Sequence, residues 1–281
     1  MPYLSELNLY PIKSCAGISL SSAVIGESGL EYQGVRDREW MLVTPDGQFL
    51  TQRSQPQMAR LRTQIEDGVL RVSWSGQPDV LLPPDIVWQR ELAVTVWDDT
   101  LPALDAGDTI AAWFSAALGL DCRLVKVAPH AQRTASLKWT GEPGVRTLFA
   151  DGYPFLLAAQ SSLDDLNQRA VAQGHAAVPI NRFRPNLVIA DSPAFEEDYA
   201  AHFVFSDGVE LRAVKPCTRC PMPAVDQASG VAGWNPVDIL QSYRSNPKVD
   251  GETTFGVNLV VAQGLGKTLQ VGALLDIEIA F

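Results

Sequence analysis

Short apolar segments that alternate with polar residues recur along the chain, and turn-forming residues separate them. The sequences EWMLVTPDGQFLTQR and HFVFSDGVELRAV predict hairpins with turns at residues 45–47 and 207–208. The same two-residue period joins further apolar positions, namely Leu7 and Leu9; Leu70, Val72 and Trp74; Leu92, Val94 and Val96; and Leu275, Ile277, Ile279 and Phe281. Many short strands with Gly, Pro and Asp turns predict a mostly β fold whose sheet closes or folds on itself.

Three segments show helical signals instead, so we predict an α+β protein with a few helices. Apolar residues spaced by three and four positions predict a helix after Asp108, its expected N-cap. Ser162 and Asp165 predict the start of a second helix that runs to about Gln173, and Asn235 before a proline predicts a third. A boundary between residues 100 and 125 predicts two domains, residues 1–120 and 121–281. The polar residues 128–147 predict a long loop or lid.

Composition excludes several classes of protein. The chain has 281 residues and a formal charge of −10, and duplex nucleic acid is an unexpected partner because its phosphates need a basic face. No apolar run reaches the roughly 20 residues of a membrane span, and the N-terminal sequence lacks the regions of a signal peptide. Four cysteines do not predict a disulfide framework. We expect a cytoplasmic protein that binds neither nucleic acid nor membrane.

Two of the cysteines lie three residues apart in the sequence VKPCTRCPMPAVD, residues 214–226. A structural zinc site needs four Cys, His or carboxylate ligands, and the sequence has no second pair with this spacing. A redox dithiol favours the start of a helix, which the flanking Pro216 and Pro221 oppose. A reducing compartment disfavours a disulfide between such close neighbours. Two small buried hydrophobic residues in a loop remain the simplest alternative.

Lys215 and Arg219 add positive charge beside Cys217 and Cys220. Positive charge lowers the pKa of a thiol and favours the thiolate, which is the form that binds metals. A soft thiolate suits a metal that other sulfur ligands already hold. The incomplete protein ligand set then predicts a metal that arrives chelated by a cofactor. A phosphorylated cofactor would need Arg, Lys and backbone donors of its own.

Five short sequences in a fixed order support this interpretation: LYPIKSCAGI, GVRDREWMLVTPDGQFLTQR, FADGYPFLLA, NRFRPNLVIA and VKPCTRC. With them the chain resembles the MOSC family, named for the C-terminal domain of molybdenum cofactor sulfurase, together with the family's N-terminal β-barrel domain. The similarity covers nearly the whole chain and is greatest to bacterial relatives of the mitochondrial amidoxime reducing component. The resemblance implies an N-terminal β-barrel-like domain packed on a MOSC β-barrel domain.

The resemblance further implies a molybdopterin cofactor whose molybdenum is bound by the dithiolene and by one protein cysteine. The family's ligand matches Cys220, with Cys217 as the alternative. Asp151 matches an acid near the cofactor, and its other interpretation is a simple turn residue before Gly152. Arg182 and Asp226 are expected to be structural. The residues that match cofactor contacts of the family are Lys13, Ser14, Arg38, Thr51, Arg53, Arg184, Asn186 and Cys217.

The activity implied by the resemblance is molybdenum-dependent reduction of N-hydroxylated compounds, such as hydroxylamines, amidoximes and N-hydroxylated bases. Many bacterial relatives carry a C-terminal ferredoxin domain, whereas this chain stops at Phe281 without the cysteine spacing of a plant-type cluster. We therefore expect a separate electron donor, which would be a flavin reductase or an iron–sulfur or haem protein. The alternatives are a cofactor carrier or sulfur-transfer protein with a reactive cysteine, and a β-rich binding protein without metal.

Overall fold

The computed structural model of the chain describes residues 1–84, 86, 88 and 90–280. This described part of the chain contains four sheets and four α-helices. The prediction of a mostly β fold with a few helices is therefore confirmed. The strand order of each sheet is open, so the barrels implied by the resemblance are not closed here. Phe281, which was expected to continue the last strand, lies outside the described residues.

The largest sheet has eight strands and joins the start of the chain to its C-terminal half. With strands numbered in chain order, its spatial order is β19 (Leu275–Ile279), β15 (Ala200–Phe205), β16 (Glu210–Thr218), β17 (Thr254–Gln263), β13 (Phe155–Ala159), β14 (Leu187–Ala190), β1 (Tyr3–Leu9) and β2 (Ile18–Leu20). Only β13 and β14 are parallel within this sheet, because the helix α3 (Gln160–Ala172) crosses between them. The predicted hairpin at residues 207–208 joins β15 to β16.

A second sheet packs on the first through a shared core. Its strands, in spatial order, are β18 (Thr268–Gln270), β3 (Ser22–Gly26), β4 (Gly29–Tyr32) and β5 (Val35–Arg36). Ile25 and Leu269 from this sheet are buried against Leu7 and Leu259 from the large one. The first strands of the chain thus share a core with its C-terminal half. The predicted domain boundary at residue 120 stays a prediction.

The remaining two sheets come from the middle of the chain. One contains β10 (Arg90–Val96), β11 (Asp99–Asp105), β12 (Arg123–Val127) and β6 (Trp40–Val43), and the other contains β7 (Arg62–Glu66), β8 (Val69–Ser73) and β9 (Val80–Leu82). The helix α1 (Asp108–Leu118) buries Phe114 in a core with Trp40 and Val72, so it joins these two sheets. The turn predicted at residues 45–47 follows β6, where Val43 forms a bridge with Phe49.

The helix starts were predicted with mixed success. Gly107 is the N-cap of α1, so Asp108 is its first residue rather than its cap. The helix α3 begins at Gln160, and the hydroxyl of Ser162 bonds to Glu197 instead of capping it. Asn235 caps α4 (Pro236–Leu240) as predicted. Residues 128–147 contain one short helix, α2 (Leu137–Thr140). None of the helices in the described ranges is long and apolar enough to span a bilayer.

Candidate functional site

A cleft of about 860 Å³ collects most of the predicted site residues. β14 is antiparallel to β1 and parallel to β13. The C-terminal end of β1 therefore lies beside the N-terminal ends of β14 and β13, and the site residues next to these three ends come together. β16 supplies a further wall from across β17. The predicted residues that line the cleft are Lys13, Ser14, Arg38, Asp151, Arg184, Asn186, Cys217 and Cys220. Segments far apart in sequence thus converge as the resemblance implied.

The cleft is rich in positive charge although the chain is acidic. Six of its lining residues are basic and two are acidic, whereas the whole chain carries −10. The basic ones are Lys13, Arg38, Arg182, Arg184, Lys215 and Arg219, and the acidic ones are Asp151 and Glu252. A concave surface with one sign of charge concentrates ligands of the opposite sign. The cleft therefore suits an anion.

Several cleft residues have a left-handed backbone, which is rare outside glycine. Ser14 has a φ of 63°, Arg38 of 46° and Arg184 of 56°, and Trp97 on the same wall has 56°. Each such residue costs about 1–3 kcal/mol and persists only where surrounding contacts fix it. Strained backbone of this kind concentrates at functional sites. Three residues predicted to contact a cofactor share this property.

Arg38 and Asn186 are fixed by a buried carboxylate. Nη1 of Arg38 donates to Oδ1 of Asn186 at 3.0 Å and pairs with Asp37. Oδ1 of Asp37 also accepts from the backbone N–H of Tyr10 at 2.8 Å and from Nδ2 of Asn186 at 3.0 Å. The Asp37 side chain is fully shielded from solvent, so these donors replace its water. Arg38 and Asn186 are thereby held in place before any ligand binds.

Arg184 is buried with one donor nitrogen free. Its Nη1 donates to Oε1 of Gln227 at 3.2 Å, but its buried Nη2 has no hydrogen-bond partner in the described part of the chain. Its guanidinium lies 4.3 Å from the ring centroid of Tyr10, and that of Arg38 lies 4.4 Å from the same ring. Burial lowers the pKa of Arg184, and the charge of Arg38 lowers it further. A buried cation with an unpartnered donor is what an anion site requires.

Lys13 and Asp151 form an ion pair on the cleft wall. Nζ of Lys13 also donates to the backbone oxygen of Phe149 at 2.8 Å, and the indole nitrogen of Trp97 donates to Asp151 at 3.1 Å. Desolvation acts to raise the pKa of Asp151, but the Lys13 ammonium and these hydrogen bonds lower it below the usual range. Asp151 is therefore ionised at neutral pH.

The cysteine pair lies at the end of β16, where the strand is irregular. Ala213 pairs with Leu259 while Lys215 pairs with Asn258, so one extra residue forms a β-bulge between them. Ala213 packs against the core, whereas Lys215 and Asn258 line the cleft. The bulge thus turns Lys215, and Cys217 two residues later, toward the cleft.

Both thiols of the pair are free and partly buried. Burial raises the pKa of Cys217 despite the nearby charges of Arg219 and Lys215. The expectation that local positive charge makes a thiolate is therefore wrong for Cys217, because desolvation outweighs it. Arg219 directs its donors elsewhere, to the backbone oxygen of Phe255 at 2.6 and 2.9 Å and to that of Phe183 at 3.1 Å.

Thr51 and Arg53 are not among the residues that line the cleft. Oγ1 of Thr51 accepts from the backbone N–H of Arg53 at 3.0 Å, and Thr51 is buried. The exposed Arg53 stacks on Trp97, with 4.3 Å between its guanidinium carbon and the ring centroid. Their contact with a cofactor stays a prediction. Arg182 is structural as expected, since it bonds to Asp226 at 3.0 Å, and Asp226 in turn accepts from the turn that follows it.

Sequence reasoning missed several residues that support the cleft. Gln52 and Gln227 bond to each other through both amides, and Gln52 also donates to the backbone oxygen of Ser14 at 2.9 Å. Arg133 donates to the backbone oxygens that lead into Asp151. Gln52 lies within the sequence LTQR that the resemblance includes, whereas Gln227 and Arg133 carry no sequence signal.

The side chains present fit an anionic group that carries its own metal ligands. No cluster of three or more His, Cys, Asp or Glu side chains able to hold a metal occurs among the described residues. A free thiol of the cysteine pair can serve as a sulfur ligand to a metal. The unpartnered Nη2 of Arg184 and the other cations can donate hydrogen bonds to an anion. This donor set suits a metal held mainly by a phosphorylated cofactor.

Several known proteins are similar to this chain over most of its length. Mitochondrial amidoxime-reducing component 1 of Mus musculus is 33% identical over 246 residues, which cover 86% of this chain and 71% of that protein. The protein of the same name from Homo sapiens is 30% identical over 278 residues, covering 96% of this chain and 81% of that one. Molybdenum cofactor sulfurase of Arabidopsis thaliana is 31% identical over 92% of this chain but only 33% of its own length.

Two families of domains match nearly the whole chain. Residues 1–121 match the MOSC N-terminal beta barrel domain, and residues 145–275 match the MOSC domain. The cleft draws residues from both matched segments, for example Lys13 from the first and Cys220 from the second. The chain therefore belongs to the MOSC family, in the branch that joins a MOSC N-terminal domain to a MOSC domain.

Proposed function

We propose that the cleft holds a molybdopterin cofactor and that the chain uses its molybdenum to reduce N-hydroxylated compounds in the cytoplasm. The observation that carries the proposal is the convergence of cations from three distant segments around free thiols, in a chain with a charge of −10. The relatives named amidoxime-reducing components support the reaction class. Hydroxylamines, amidoximes and N-hydroxylated bases are the substrates expected.

The cations would hold the phosphate and pterin of the cofactor. Arg184 offers the free Nη2 to a phosphate oxygen, and Lys13 and Arg38 add positive charge on the same wall. Ser14 adds a hydroxyl, and Asn186 presents an amide that both donates and accepts, which suits the amide-like edge of a pterin. Because buried contacts already fix these side chains, little conformational entropy is lost on binding.

Cys220 is the proposed metal ligand. Cys220 lines the cleft and is the cysteine that matches the family's metal ligand in the resemblance. When bound, the molybdenum would supply the two-electron redox change, while the protein positions substrate and cofactor. Asp151 is ionised and lies on the cleft wall, so it would accept a hydrogen bond from the N–OH or N–H of the substrate. Electrons would come from a separate protein, a flavin reductase or an iron–sulfur or haem protein.

The test compares the two cysteines in protein made by a host that synthesises the cofactor. We expect the wild type to contain stoichiometric molybdenum and fluorescent pterin, and to reduce benzamidoxime with an artificial electron donor. Cys220→Ser should lose both metal and turnover, whereas the matched variant Cys217→Ser should keep the metal. A Cys220→Ser protein with full metal content and normal turnover would refute the assignment.

A cofactor carrier or sulfur-transfer protein is the second candidate, favoured by the similarity to molybdenum cofactor sulfurase over 92% of this chain. Full molybdenum content without reduction of any N-hydroxylated compound would favour it. So would release of the cofactor to an apo-enzyme, or a persulfide on Cys217 or Cys220 found by mass spectrometry.

A further inference from the structure

Some of the basic residues that line the cleft form ion pairs and others do not. Within the described residues, Lys13 pairs with Asp151, Arg38 with Asp37 and Arg182 with Asp226. The three remaining lining cations, Arg184, Lys215 and Arg219, form no ion pair there. Glu252, the other acidic lining residue, is exposed and forms no ion pair in the same part of the chain.

Two of these three cations already have a structural role or a proposed one. Arg219 donates three hydrogen bonds to the backbone oxygens of Phe183 and Phe255. Arg184 lies buried near Arg38 and is the proposed contact of a phosphate oxygen. Lys215 is the one left over, since its ammonium has neither a hydrogen bond nor an ion pair within the described residues. Its Nζ lies 5.5 Å from the ring centroid of Trp139, a weak cation–π contact.

Lys215 lies on the same strand as Cys217. It precedes Cys217 by two residues on β16, and its charge acts on the Cys217 thiol. The β-bulge after Ala213 is what places it there, because regular pairing would have turned Lys215 to the core face with Ala213. Lys215 is thus a cleft cation close to the cysteine pair, with no ion pair among the described residues.

We propose, as an extension of the reductase function above, that Lys215 binds a carboxylate of the substrate and makes the cleft selective for N-hydroxylated acids over neutral or cationic analogues. One ammonium matches one negative charge, so Lys215 suits a group with a single carboxylate. Lys215 is partly buried, so its attraction for a carboxylate is screened less than that of a surface lysine.

The test uses a pair of compounds that differ only in one charge, benzamidoxime and 4-carboxybenzamidoxime. Binding of both to the oxidised holoenzyme, measured by calorimetry without an electron donor, gives affinities independent of turnover. We expect the wild type to bind the acid about tenfold more tightly, as a charge-assisted hydrogen bond provides. Lys215→Met should abolish this ratio and Lys215→Arg should retain most of it. Lys267→Met, which removes the same charge outside the cleft lining, should leave the ratio intact.

Steady-state kinetics then separates this proposal from the reductase function. An acid preference that appears in KM rather than kcat, and is lost in Lys215→Met, supports recognition by Lys215. Equal binding and turnover of the two compounds by the wild type would overturn it while the reductase function stands. Preferential binding of the acid without reduction of either compound would refute the reductase function but support Lys215 as a carboxylate site.

Discussion

Replacing Arg133 by methionine would remove the side chain that holds the segment leading into Asp151. Arg133 is 7% exposed, and its guanidinium donates to the backbone oxygens of Leu148 at 2.9 Å, Ala150 at 2.5 Å and Asp151 at 3.2 Å. Its Nε also pairs with Asp99 at 2.7 Å. A methionine replaces the aliphatic part of the side chain but donates nothing, so these oxygens lose their partners.

The expected loss of stability follows from which oxygens water can reach. Leu148 and Ala150 are buried, and an unsatisfied buried carbonyl costs about 1–3 kcal/mol. Asp151 is exposed and its oxygen can bond to water, and the pair with the half-exposed Asp99 adds less than about 1 kcal/mol. Together these contributions predict a loss of about 4 kcal/mol in the free energy of unfolding. Arg133→Lys should recover part of it, because an ammonium can still bond to one or two of the oxygens.

Urea unfolding of the purified variants measures this loss as a lower midpoint concentration of urea, provided that the dependence of the unfolding free energy on urea is unchanged. Arg146→Met is the matched control, since Arg146 comes from the same loop but makes a single bond, to the backbone oxygen of Ala131 at 3.4 Å. It should lose less than about 1 kcal/mol. If Arg133→Met proved as stable as Arg146→Met, the role of Arg133 in holding the Asp151 segment would be refuted. Under conditions where both variants are folded, Arg133→Met should also turn over benzamidoxime more slowly.

Two further predictions concern buried polar groups. Burial raises the pKa of Glu197 to about 7, above the value of about 4.3 in an unfolded chain, so its contribution to stability falls as pH rises between these values. Glu197→Gln should therefore be more stable than the wild type by about 3 kcal/mol at pH 8 and nearly as stable as it at pH 4. Urea unfolding at both pH values measures the difference. The same difference at both pH values would contradict the raised pKa of Glu197. Gln227→Leu removes the side chain to which Gln52 and Arg184 donate hydrogen bonds. The purified variant should therefore retain several-fold less pterin, measured by fluorescence, than Gln132→Leu, a control at an exposed position. Equal retention of pterin by the two variants would exclude a role for Gln227 in the site.

Local signals allowed much of the fold to be predicted. The hairpin at residues 207–208 and the start of α4 were correct because turn and cap residues act through contacts only a few positions away. The start of α3 was wrong because the hydroxyl of Ser162 bonds to Glu197, 35 residues further along. The pairing of β1 with β14, which brings Lys13 near Arg184, likewise depends on contacts across the whole chain. No local pattern encodes such pairing.

The site could be predicted as a set of residues but not as a geometry. The resemblance to a known family, carried by five short sequences in a fixed order, identified Lys13, Arg38 and Arg184, and all three line the same cleft. The charges of Lys215 and Arg219 predicted a thiolate beside them, yet burial raises the pKa of Cys217. Desolvation depends on three-dimensional burial, which residue order alone does not give. The bulge that turns Lys215 to the cleft is hidden for the same reason.

The way the cations are held explains how an acidic chain can keep a binding site for an anion. Ser14, Arg38 and Arg184 adopt strained left-handed backbones, and Arg184 is desolvated without a carboxylate partner among the described residues. Both features cost free energy in the folded chain, and contacts such as the buried Asp37 carboxylate offset part of that cost. An anion bound to Arg184 would offset the rest, because it binds the folded chain and not the unfolded one. Binding of the anion and stability of the fold are therefore linked through the same few side chains.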